Sequence, residues 1–171
     1  MADYLARHQI DLGRVLPRVG AIGLLDVVEY PLDRFDFVGR GDLIACLVFE
    51  ALDDDEQPFD LVALPVSEPG RPMTMFGRVG FLNPATVFWP GSYSLGKSMP
   101  VHRHGLAWLQ AGCVGTAIIH PKVASRQMLD VPGPLLGQDR QHCRELIGIA
   151  RSVVNEAQFV MPAPAEIARA A

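Results

Sequence analysis

Cysteine is scarce in this chain: only Cys46, Cys113 and Cys143 occur among 171 residues. Three is an odd number, and their wide spacing excludes a disulfide framework, which is denser and even. It also excludes the paired C-x-x-C ligands of a structural zinc site. Each cysteine sits in an apolar pattern, so the expectation is a reducing cytoplasm and three small buried hydrophobes. No apolar run approaches the ~20 residues of a membrane span, so no membrane partner is expected. The start, Met-Ala-Asp-Tyr-Leu-Ala-Arg-His, is too polar for a signal peptide. Basic excess is missing as well. The formal net charge is −4, which argues against a dedicated nucleic-acid binder with a basic face. Nucleic acid is therefore expected only indirectly, through a protein partner. No nucleophile elbow, dinucleotide fingerprint or H-E-x-x-H run occurs, and no cofactor is expected.

What is present is ordinary globular composition, with 49% apolar and 20% charged residues. The length suits one domain, expected over residues 1–160 with a flexible tail over 161–171. A short helix is expected over Asp11–Val19, where Leu12, Val15, Leu16 and Val19 share a face. Apolar runs then follow at Ala21–Tyr30, Phe35–Val38, Leu43–Leu52, Phe59–Val66 and Met73–Leu82. Proline-, glycine- and aspartate-rich turns separate them. Such short connections suit antiparallel hairpins, because parallel strands need long crossovers. The fold class expected is therefore α+β, with an antiparallel meander sheet at about 21–82.

In the second half, helical spacing predicts helices over His104–Ala111, Pro121–Leu129 and Asp139–Val154. One further strand is expected near 114–119. The helices near 104–111 and 139–154 should cover one face of the sheet. The expected core comprises Leu43, Ile44, Leu47, Leu61, Val62, Leu106, Leu109, Ile118, Leu146 and Ile147.

One stretch matches a chemical motif letter for letter. Gly91-Ser-Tyr-Ser-Leu-Gly-Lys-Ser98 spells G-x-x-x-x-G-K-S, the loop whose backbone N–H groups wrap nucleotide phosphates. In that reading Gly91 and Gly96 shape the loop, Lys97 reaches the terminal phosphates and Ser98 binds magnesium. The mechanism requires a strand before the loop and a helix opening at the lysine. Ala85–Trp89 reads as a short strand, but Met99-Pro100 follows Ser98. Proline pushes the preceding residue from helical angles and removes a donor. The competing reading is a solvated surface turn.

The remaining polar residues carry weaker patterns. His102, His104, Cys113, His120, His142 and Cys143 are the candidates for a zinc site, but they lack ligand spacing. They read as scattered helix-end and surface residues. The acids Asp53-Asp-Asp-Glu56 read as a solvated turn. Glu50 and Asp60 lie in apolar strands, and edge or solvent-facing positions are expected for both. Trp108 should pack its helix onto the sheet. Trp89 and Tyr93, in a loop, are candidates for exposed contact. With Lys97 and Arg103 they form the expected contact surface.

Phe59–Val66, Asn83–Thr86 and Val101–Gly115 resemble segments of small, uncharacterised proteobacterial proteins. Those proteins are associated with prophages, plasmids and integrated elements, sometimes near replication or primase genes. The resemblance spans roughly residues 20 to 150 and implies no activity or catalytic residue. It implies a bacterial cytoplasmic protein serving a mobile element. The function expected is a non-enzymatic accessory or inhibitory protein that binds a protein or a protein–nucleic-acid complex. The alternative is a small P-loop-like nucleotide-binding protein or NTPase using the Gly91–Ser98 loop.

Overall fold

The computed structural model describes residues 1–53 and 55–153. The expected tail over 161–171, the helix end at Val154 and Asp54 lie outside the described residues. The class is α+β, but the sheet differs from an antiparallel meander. Five strands close into a small barrel in the order β1-β2-β5-β4-β3. They are β1 (Ile22–Tyr30), β2 (Arg34–Asp36), β3 (Leu43–Leu52), β4 (Pro58–Pro65) and β5 (Met73–Thr74).

β1 lies between β2 and β3, antiparallel to both. β3, β4 and β5 continue antiparallel. The barrel closes through one parallel contact, Arg34 beside Thr74. Closure removes the exposed edges that an open meander would present. The physical signal for β3 was sound, because both of its faces are buried. Cys46 and Val48 pack inside the barrel with Val27, Phe35, Ala63 and Met73. Leu47, Phe49 and Ala51 pack outward under helices. Burial on both faces explains a continuous apolar run in place of alternation. Leu43 begins β3 beyond the helical cover and is 65% exposed, against expectation.

Two N-terminal helices, α1 (Ala2–Arg7) and α2 (Leu12–Val19), supply part of that cover. Asp11 caps α2 by accepting the Gly13 N–H at 2.9 Å. Tyr4, Leu5, Ile10, Val15 and Val19 join the same core as Leu47 and Phe49.

The run expected as a strand over Met73–Leu82 pairs in the barrel only at β5. Of Ala85–Trp89, expected as a strand, Ala85 to Phe88 are instead in a helix, α3 (Pro84–Phe88), with Trp89 as its extended C-cap. Asn83-Pro84 explains the difference: proline at the first helical position is preorganised for a helix start.

The second half forms a separate three-stranded parallel sheet in the order β7-β6-β8. Its strands are β6 (Met99–His102), β7 (Thr116–Ala117) and β8 (Leu135–Gly137), with β6 central. The expected strand near 114–119 shrinks to β7 and one antiparallel bridge, Phe81 to Ile118. The crossovers are α4 (Gly105–Gln110) and α5 (Pro121–Gln127), and α6 (Arg140–Arg151) follows β8. α4 reaches the barrel: Leu106, Trp108 and Leu109 enter the core with Leu47, Phe49, Val62 and Leu64. Trp108 also donates from Nε1 to the Gly115 carbonyl at 3.0 Å. Gly115 has φ +76° and lies against the Pro100 carbonyl, where a side chain has no room.

α6 packs on α5 and β8, so the expected pair of helices does not cover one face of the barrel together. Leu146 is buried, but Ile147 is 50% exposed. Of the other expected core residues, Leu47, Val62, Leu106 and Leu109 are buried. Ile44, Leu61 and Ile118 are half-buried.

Candidate functional site

Strand β6 ends at His102, and β8 ends beside it, with Val101 opposite Gly137. The chain leaves β6 toward β7 on one side and then crosses to β8 on the other. The carboxyl ends of β6 and β8 therefore flank a switch point, where open parallel sheets leave a crevice. α6 starts at this crevice. Asp139 caps it, accepting the His142 N–H at 2.8 Å. Gly137 permits the close approach: a Cβ there would lie 2.9 Å from the Cys143 nitrogen.

Arg103, just past the end of β6, ties the two elements together. Its guanidinium donates to both Asp139 oxygens at 2.8 and 2.9 Å and to Glu145 at 3.0 Å. The Arg103 hydrogen bond, then the His142 backbone N–H, hold the Asp139 carboxyl below its ordinary pKa. The other Glu145 oxygen accepts from Gln141 at 3.1 Å.

Two imidazoles complete this wall. His142 is only 5% exposed, and its Nδ1 meets the Gln138 N–H at 3.1 Å. Burial, then the Arg103 charge, lower its pKa and favour the neutral ring. His102 places Nε2 2.9 Å from the Val114 carbonyl. His104 turns away to cap α4, its Nδ1 accepting the Ala107 N–H at 3.1 Å. Burial, then His102, lower its pKa.

The facing wall comes from two barrel turns: Asp33 between β1 and β2, and Glu68 to Pro72 between β4 and β5. Arg71 in the second turn pairs with Glu29. Ile118, Ile119, Pro121, Leu146 and Ile149 give the cleft an apolar lining. Its volume is about 350 Å³, within the range of small-ligand pockets.

The motif loop lies elsewhere. Pro90–Gly96 forms short 3-10 turns, with Leu95 at φ +59° and Gly96 at φ +72°. Lys97 is extended, and β6 begins at Met99. The segment after Gly91, Gly96, Lys97 and Ser98 is thus a strand, and no helix N-terminus opens at Lys97. The loop folds back on α3 through Ser92 Oγ to the Thr86 carbonyl at 2.7 Å and Tyr93 Oη to the Val87 carbonyl at 2.8 Å.

The four expected contact residues do not form one surface. Trp89 is 64% exposed, while Tyr93 is half-buried. Lys97 and Arg103 lie beyond opposite ends of β6, six residue steps apart, which an extended chain spans in about 20 Å. Arg103 alone belongs to the cleft, where two carboxylates already neutralise it.

Several sequence readings of polar residues change. His142 is a buried cleft residue and not a surface histidine. Asp60 is 3% exposed, where an edge or solvent-facing position was expected. Its oxygens accept the N–H groups of Leu61, Phe76 and Arg78 at 2.8–2.9 Å. Glu50 is half-buried and accepts the Ala21 N–H at 3.0 Å. Burial pushes the Cys113 thiol up to about 12 and the Cys46 thiol up to about 11. Among the described residues no three His, Cys, Asp or Glu side chains converge as a metal site. Among them, too, no helix is long and apolar enough to cross a membrane.

Sequence reasoning missed Asp33, Glu68, Arg71, His142 and Glu145 as one cleft. The available signal was the two strand-to-helix junctions, Val101-His-Arg-His-Gly105 and Leu136-Gly-Gln-Asp139. Each places polar residues where a parallel strand ends. Comparison of the chain with family models, curated proteins and solved structures finds no match.

Proposed function

We propose that the chain is a non-enzymatic accessory or inhibitory binding protein of a bacterial mobile element. It engages a protein partner through the cleft between the barrel and the parallel sheet. One observation carries this reading: both cationic groups in the cleft are consumed internally. Asp139 and Glu145 neutralise Arg103, and Glu29 neutralises Arg71. An acyl- or phosphoryl-transfer site needs an activated nucleophile or free positive groups aimed at developing charge. A braced polar rim over an apolar lining suits recognition instead.

The mobile-element setting and the cytoplasmic location rest on the resemblance of Phe59–Val66, Asn83–Thr86 and Val101–Gly115. The acids Asp33 and Glu68 at the rim, with the net charge of −4, disfavour direct contact with nucleic acid. Nucleic acid enters only through the partner.

Site-specific photo-crosslinking in the native host tests the reading. A photoreactive residue at Glu68 should give a discrete, nuclease-resistant protein adduct. The same residue at Lys97, about 20 Å along β6 from the Arg103 end, should give none. An adduct from Lys97 alone, or one that nuclease removes, contradicts it.

A further inference from the structure

The backbone partners of His102 and His142 fix where each ring carries its proton. A carbonyl only accepts, so the His102 nitrogen facing the Val114 carbonyl, Nε2, bears the hydrogen. Its Nδ1 is then a bare acceptor. A backbone N–H only donates, so the His142 nitrogen facing Gln138, Nδ1, is bare. Its Nε2 then bears the hydrogen. Each ring has one nitrogen committed, and the remaining two have opposite polarity. Among the described residues neither has a hydrogen-bond partner. Both rings line the same cleft. His142 is 5% exposed as a residue, yet neither free ring nitrogen is among the buried atoms that lack a partner, so both stay open to a ligand entering from solvent.

The other polar groups narrow the ligand. Arg103, Glu145 and Arg71 are already engaged. A carboxylate entering the cleft meets Asp33, Glu68 and Glu145, and it opposes the bare His102 nitrogen. An ammonium suits those acids and that nitrogen, but it sets donor against donor at His142. An uncharged group with an acceptor beside a donor satisfies both rings.

We infer that the cleft recognises a primary carboxamide on a short apolar arm. Its carbonyl accepts from His142 Nε2 and its NH2 donates to His102 Nδ1. Leu146, Ile149 and Ile118 flank the arm. This deepens the binding reading proposed above and rests on it. A glutamine or asparagine side chain of a protein partner and a free small amide share this chemistry.

The recognition is sensitive to acid. Protonating His142 breaks its bond from Gln138. The charged groups around His142 are Arg103 beyond β6, Asp139 at the N-cap of α6, Glu145 on α6, and Asp33, Glu68 and Arg71 from the barrel turns. His104 lies behind His102.

Long-range 15N–1H NMR of the imidazoles in the full chain tests this without a variant. Both rings should show the Nε2–H tautomer. Propionamide should shift both His102 and His142, and it should bind roughly tenfold tighter than propionate, propylammonium or 1-propanol, as one well-made neutral hydrogen bond allows. Equal or tighter binding of any of these three, or an Nδ1–H tautomer at either ring, overturns the inference. A capped glutamine, N-acetyl with C-terminal methylamide, separates the sources. Binding at least as tight as propionamide supports a partner side chain. Its exclusion, with propionamide still bound, upholds carboxamide recognition but contradicts the protein-partner reading.

Discussion

Replacing Asp60 with alanine should be among the most damaging single changes outside the apolar core. The carboxylate is 3% exposed and holds three backbone donors. Oδ1 accepts from Leu61 at 2.8 Å and Phe76 at 2.9 Å, and Oδ2 accepts from Arg78 at 2.8 Å. Two of these donors, Phe76 and Arg78, lie just past β5 and are bound to Asp60 from outside the barrel ladder. A hydrogen bond to a charged group contributes about 1.5–3 kcal/mol. The three share one acceptor, so their losses do not add fully. Phe76 and Arg78 are themselves exposed, so water partly replaces the lost acceptor. The expected cost of Asp60→Ala is therefore about 3–5 kcal/mol. Asp60→Asn keeps Oδ1 but turns an NH2 toward the Arg78 N–H, and it should cost about 1–3 kcal/mol. Urea titrations with an unchanged slope measure both values. Amide exchange at Phe76 and Arg78 should accelerate in both variants. A cost below about 1 kcal/mol for Asp60→Ala, with slow exchange retained, would refute the reasoning.

Adjacent residues on α6 give a second check. Leu146→Ala should cost about 2–5 kcal/mol, whereas Ile147→Ala should stay within about half a kcal/mol; urea titrations that rank them equally would show the face of α6 misassigned. Lys97→Ala should leave stability within about half a kcal/mol and calorimetric titration with magnesium-ATP flat, as in the parent; heat in the parent that vanishes in the variant would restore the phosphate-loop reading. Acid should weaken the α6 start in two steps. The His142 pKa is lowered in the fold, so the unfolded chain takes up that proton first, and stability falls as pH drops below about 6.5. The Asp139 pKa is also lowered; its contribution is complete above about 3.9 and is lost as pH falls through its folded value. Arg103→Ala should flatten the second step, and melting curves across this pH range that do not change with the variant would contradict the Asp139 assignment.

The sequence signalled local structure where local physics decides it. Leu43–Leu52 reads as a strand because both of its faces meet apolar partners. Asp11 and Asp139 announce helix starts because an N-cap is a three-residue device. What stayed hidden depends on distant pairing. The parallel closure of Arg34 on Thr74 leaves no trace in periodicity, since β5 has only two residues. The parallel sheet is obscured for the same reason, with β7 also two residues long. Asp60 reads as a misplaced acid until Phe76 and Arg78 return to it from 16 and 18 residues downstream. The cleft was the least legible feature. Its walls combine turns near residues 33 and 70 with helix positions near 142. Arg103 was singled out from sequence, but it was grouped with Lys97, which β6 carries to its far end.

The most direct test of the cleft as the binding site is Gly70→Trp. Gly70 lines the cleft, and a Cβ added there meets nothing within 4 Å. An indole can therefore be placed at the cleft wall without displacing any neighbour. Stability should change by no more than about half a kcal/mol, while the protein adduct from a photoreactive residue at Glu68 disappears. A Gly70→Trp protein that is equally stable and still forms that adduct would contradict the account.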